Sequence, residues 1–91
     1  MVTVFIDLAD LKDKKQLHDK IRKSIAPIPY EGNNMDALHD VLTEYAGLPV
    51  LRFYNAGVPE GEMSEYIVRL RRVCRDAMME NPQLKVIFEE D

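Results

Sequence analysis

Three short apolar runs limit how this chain can fold. They are Val2 to Ile6 (VTVFI), Val50 to Tyr54 (VLRFY) and Leu84 to Phe88 (LKVIF). Each is rich in β-branched and aromatic residues and reads as a strand, the first as a buried one. The stretches between them carry helical periodicity rather than a hairpin turn. Strands joined through helices require crossovers, and crossovers give parallel pairing. The expected fold class is therefore α/β: a small three-stranded parallel sheet packed by three or four helices. The chain has 91 residues, of which 46% are apolar. That suffices for one core, so residues 1–91 are expected to form a single domain.

The intervening helices have legible ends. Lys14 to Ile25 turns Leu17, Ile21 and Ile25 one way and Lys14, Lys15, Lys20, Arg22 and Lys23 the other. Asp13 is its candidate N-cap, and Pro27 and Pro29 stop it. The turn Gly32-Asn33-Asn34 offers an asparagine cap to a second helix, from about Met35 to Tyr45, which Gly47 and Pro49 close. Asn55 to Glu62, with two glycines and a proline, reads as a loop. Ser64 to Met79 reads as a long amphipathic helix that turns Ile67, Leu70, Val73, Cys74, Ala77 and Met78 inward, with Asn81 and Pro82 ending it. The chain closes on an acidic tail, Glu89, Glu90 and Asp91.

The charge pattern bears on function. Residues 30–45, YEGNNMDALHDVLTEY, contain Glu31, Asp36, Asp40 and Glu44 and no Lys or Arg. Asp36, Asp40 and Glu44 are four apart, so they stack along one side of the helix. Like charges at that spacing repel and weaken an isolated helix. A basic partner is the simplest reason to keep such a face. On a helical wheel His39 and Thr43 join the acidic arc, while Ala37, Leu38, Val41, Leu42 and Tyr45 face the core. Asp36 lies in the first turn, where the helix dipole favours an acid, so a structural role competes with a functional one. Glu44, near the negative end of the dipole, ranks low. Asp40 is mid-helix with no such excuse and ranks first.

Several function classes are disfavoured. The net charge of −4 and a pI near 5.1 argue against nucleic acid as the direct ligand. The single cysteine, Cys74, precludes an internal disulfide and suits a cytoplasmic location. The opening MVTVFIDLADL lacks a basic region and an apolar run of signal-peptide length, and no stretch approaches a membrane span. Asp36 and His39 make at best half a metal site, so neither a metal nor another cofactor is expected. Acid–base catalysis by Asp36, His39 and Asp40 would lack a nucleophile and a phosphate cradle, so an enzyme is not expected. Binding of a basic protein partner remains.

The motif and the order of elements resemble the barstar family, intracellular protein inhibitors of a secreted bacterial ribonuclease. The resemblance rests on Tyr30, Gly32, Asn34, Asp36, Ala37, Leu38, Asp40, Leu42, Thr43 and Tyr45. Leu17 and His18, the proline-led second strand and the last helix and strand fall in register with it. It implies a one-to-one complex in which the acidic helix and its preceding loop plug the active site of a basic ribonuclease. Tyr30, Asp36, Asp40, Thr43 and Tyr45 match contact positions of the family, and Asp76 and Glu80 match two further acidic contacts. His39 and Tyr45 stand where the family has tryptophans, and Asp76 is one methylene shorter than the family's glutamate. Without the resemblance, Tyr30 reads as a loop-packing aromatic, and Asp76 and Glu80 as a salt-bridged surface with Arg72. An acidic adaptor of the same fold, binding another basic protein or toxin, is the alternative.

Overall fold

The structure, a computed structural model, describes residues 2–90. The elements are β1 (Thr3–Asp7), α1 (Lys14–Ile25), α2 (Met35–Glu44), β2 (Val50–Tyr54), α3 (Glu62–Glu80) and β3 (Val86–Phe88). The strands form one parallel sheet in the order β1-β2-β3. This is the α/β arrangement expected, with three helices among the described residues.

Strand register decides what is buried. Val4, Leu51 and Val86 lie side by side, as do Ile6, Phe53 and Phe88, and all six belong to or pack against the core. The row between them, Phe5, Arg52 and Ile87, points the other way. Phe5 is 62% exposed and Arg52 lies over its ring. The expectation that the first strand is buried therefore fails for its outward residues. The helices cover one face of the sheet, so β1 alternates between core and solvent. Parallel sheets usually read as continuous apolar runs because both faces are covered, and that rule misled here.

The core joins Leu17, Ile21 and Ile25 of α1 to Leu38 and Leu42 of α2, to Ile67, Leu70, Cys74 and Ala77 of α3, and to the inward strand residues. Val73 and Met78 are only partly buried, and Tyr66, not anticipated, is buried. Burial pushes the Cys74 thiol up to about 12, so it is an inert core side chain. Helix ends follow their caps. The Asp13 side chain accepts from the Gln16 N–H at 2.8 Å, and that of Asn34 accepts from the Ala37 N–H at 2.8 Å. Helix α3 begins at Glu62, ahead of the expected Ser64, directly after Gly61 with its positive φ of 63°.

The acidic tail is docked rather than free. Glu89 N–H donates to Phe53 O, and Ala56 N–H donates to Glu89 O, each at 2.8 Å. Arg52 pairs with Glu89 and Arg71 with Glu90. The hydrogen bond from Arg52 holds the Glu89 carboxyl below its ordinary value. Asp91 lies outside the described residues.

Among the described residues, one polar side chain is wholly buried. His18 has no solvent exposure and sits between two hydroxyls: Tyr66 Oη is 2.6 Å from Nε2, and Tyr30 Oη is 2.6 Å from Nδ1. A neutral imidazole donates from one nitrogen and accepts at the other. The pattern closes if Tyr66 donates to Nε2, Nδ1–H donates to Tyr30, and the Tyr30 hydroxyl donates to Asn34 O at 3.3 Å. This chain of bonds runs from α3 through α1 to the cap of α2. Burial first, and the nearby Arg22 charge second, lower the His18 pKa below 6.5, with Asp19 opposing.

The unfolded chain therefore takes up a proton at a higher pH than the fold does. His18 contributes its full stability above about pH 6.5 and loses it progressively as pH falls toward its folded value. Asp7 and Glu89, whose folded pKa values are also lowered, contribute stability that is fully present above their ordinary values of 3.8 and 4.5 and is lost only as pH falls below them. Urea unfolding followed from about pH 8 to pH 5 should show stability falling with acid. The slope should flatten in His18→Gln. Equal slopes in parent and variant would contradict this role of His18.

Candidate partner-binding face

Helix α2 is divided lengthwise. Met35, Leu38, Val41 and Leu42 are buried, and Asp36, Asp40 and Glu44 are exposed. Packing against α3 fixes the buried side, so the acids are held in a row at the surface. Among the described residues, none of the three takes part in an ion pair. Acids elsewhere do: Asp19 pairs with Arg22, Glu89 with Arg52 and Glu90 with Arg71. Among the described residues the ridge is thus left without an ion-pair partner. Helix α2 also has no basic residue in its last turn. Asn81 does that work from the end of α3, its amide donating to Leu42 O at 3.0 Å and Tyr45 O at 3.3 Å.

His39 and Thr43 flank the ridge and are half-buried. His39 Nε2 lies 2.9 Å from Glu80 Oε2, which ties α2 to the end of α3. That contact sets Glu80 beside the acidic row. Asp76 is exposed on the same helix. The pairing of Arg72 with Asp76 suggested by their spacing is not among the ion pairs of the described residues. Thr43 spends its hydroxyl on the carbonyls of His39 and Asp40, at 2.9 and 3.2 Å. Tyr45, half-buried, packs against the core where α2 ends.

Tyr30 is placed differently from the others. It is only 3% exposed, and its hydroxyl is bonded to His18. The packing alternative thus describes it: it holds the loop before α2 from beneath and offers little surface. Burial pushes its hydroxyl up to about 12, so it stays protonated. Gly32 lets that loop lie directly on the helix, because a Cβ there would fall 2.1 Å from the Ala37 Cβ. Sequence reasoning missed the residues that fasten the face: His18, Arg22, Tyr66 and Asn81. A signal existed for one of them, since His18 falls on the Leu17, Ile21 and Ile25 side of α1 at helical spacing.

No group of three or more metal-binding side chains occurs among the described residues. No described helix is long and apolar enough to cross a membrane. The profile of the barstar family, described as barstar (barnase inhibitor), matches residues 1–89.

This chain belongs to the barstar family.

Among curated proteins no sequence matches it significantly. The barstar match takes in all six elements, so the acidic helix and the α3 acids both lie within it. Barstars are inhibitors rather than enzymes, and the family description names a ribonuclease, barnase, as what is inhibited.

The loop geometry yields a direct test. Gly32→Ala puts a methyl group into the space of the Ala37 side chain, so the loop must lift. The expected cost is about 1–3 kcal/mol of unfolding free energy. Denaturant unfolding measures it, and an unchanged midpoint would mean that the loop does not rest on α2.

Proposed function

We propose that this protein inhibits a barnase-type ribonuclease in a one-to-one complex, inserting the α2 ridge and the loop before it into the enzyme's active site. The observation that carries the reading is the row Asp36, Asp40 and Glu44, exposed and, among the described residues, in no ion pair, in a barstar chain. A ribonuclease cleft must bind RNA phosphates and stabilise a charged transition state, so it concentrates cationic donors. A carboxylate on a fixed helix takes the place of a phosphate there and accepts bidentate bonds from arginine. The ridge is already ordered by the packing of α2, so little conformational freedom is lost on binding. Its summed field steers a basic enzyme toward it.

Asp40, central in the row, makes the leading contact. Asp36, His39, Thr43 and Glu44 surround it. Asn34 and Tyr45 mark the two ends of the face, Tyr30 supports its loop, and Asp76 and Glu80 extend it onto α3. The protein acts by occupation alone: it catalyses nothing and carries no cofactor. It works as a single domain in the cytoplasm, as an immunity protein of a bacterium would, sparing the cell a ribonuclease that it secretes.

Titration of a barnase-type ribonuclease should give stoichiometric inhibition that weakens with added salt. Asp40→Ala should leave the fold intact, because the side chain is exposed. It should cost about 2–5 kcal/mol of binding, a range for which the barnase–barstar complex is itself a reference case. An Asp40→Ala variant as potent as the parent would remove Asp40 from the interface.

A further inference from the structure

The loop between α1 and α2, residues 26–34, contains no regular secondary structure yet leads directly into the acidic ridge. A single side chain from outside the loop gathers its backbone. Arg22, near the end of α1, donates from Nε to Tyr30 O at 2.6 Å. Its Nη2 donates to Gly32 O at 3.1 Å and to Asn33 Oδ1 at 2.7 Å. Its Nη1 donates to Asp19 Oδ1 at 2.6 Å, which fixes the orientation of the guanidinium from the α1 side. The guanidinium also lies over the Tyr30 ring, 5.3 Å from the centroid. The Tyr30 hydroxyl is held separately by His18. Tyr30 is thus fastened at its carbonyl, its ring and its hydroxyl, and the next turns of the loop are fastened by the same arginine.

We propose that Arg22 is a positioning residue for the partner-binding face, a planar clamp that sets residues 30–33 and so the approach to Asn34 and the ridge. The inference rests on the inhibitory reading of α2 for its functional consequence, but the clamp itself is a property of the free protein. The geometry requires arginine in particular. Three acceptors on the loop and one on α1 are met by a rigid fork whose donors point in fixed directions. Lysine carries the same charge as a compact ammonium on a flexible stem and cannot span that set. Arg22 also does not belong to the face it serves, since its own donors are turned toward the loop backbone and Asp19.

Arg22→Lys keeps the net charge, so the long-range field that steers a basic enzyme is preserved and any loss reports geometry. Two measurements are required. Amide hydrogen exchange on the free protein should show faster exchange for residues 30–37, with core amides of β2 and α3 unchanged. Binding to a barnase-type ribonuclease should weaken about tenfold, with an unchanged salt dependence of the association rate. Asp19→Asn, which loosens only the orientation of the guanidinium, should fall between Arg22→Lys and the parent in both measurements.

The proposal is overturned if loop amides keep their protection in Arg22→Lys. It is overturned equally if loop and core amides loosen together, which would make Arg22 an ordinary stabilising residue, or if the loop loosens and affinity does not change. If the parent itself binds no such ribonuclease, the inhibitory reading falls. The exchange data alone then decide whether Arg22 orders the loop.

Discussion

Burial of one side of α2 is what permits the rest. Three carboxylates four residues apart weaken an isolated helix, and this helix is short. It holds because Leu38 and Leu42 are almost wholly buried in the core where α2 packs on α3, and because both ends are capped by asparagines, Asn34 within the loop and Asn81 from α3. Burial of two such leucines offsets several like-charge contacts, since each contributes about 1.5–3 kcal/mol against a few tenths for a repelling pair. The acids need no lysine beside them because packing, rather than charge balance, fixes the helix. Their unneutralised charge is then available to another molecule.

The loop before α2 extends that principle to backbone without regular structure. Three devices order it: the close approach at Gly32, the hydroxyl–imidazole–hydroxyl chain through His18, and the Arg22 fork. None is on the exposed ridge: the Gly32 contact seats the loop on α2, and the other two link it to α1 and α3. His39 of α2 reaches to Glu80 at the end of α3. The two acidic segments of the face are therefore joined within this chain by a polar contact rather than by a large aromatic anchor.

Much of this was legible in the sequence because it follows from periodicity and local chemistry. The strand–helix order gave the parallel sheet, Asp13 and the Gly32-Asn33-Asn34 turn gave the helix starts, and the spacing of Asp36, Asp40 and Glu44 gave the acidic row. What could not be read depends on contacts distant in sequence. Phe5 looks like a core residue until the helices are seen to cover one face of the sheet. Tyr30 could have been surface or core, and only its meeting with His18 and Arg22 decides. Arg22 itself is one of five cations on an amphipathic helix, with nothing local to mark it apart from Lys14, Lys15, Lys20 or Lys23. Asn81 reads as a helix stop and proves to be the cap of a different helix.

The claim that matters most is that the α2 ridge, and not the open side of the sheet, is the surface that meets a ribonuclease. Backbone amide chemical-shift mapping of the isotope-labelled protein against an unlabelled, catalytically inactivated barnase-type enzyme tests it most directly. Large shifts are expected only in residues 30–45 and at the end of α3 around Asp76 and Glu80, with Phe5, Arg52 and Ile87 undisturbed. Shifts centred on those three sheet residues, with the ridge unchanged, would contradict it.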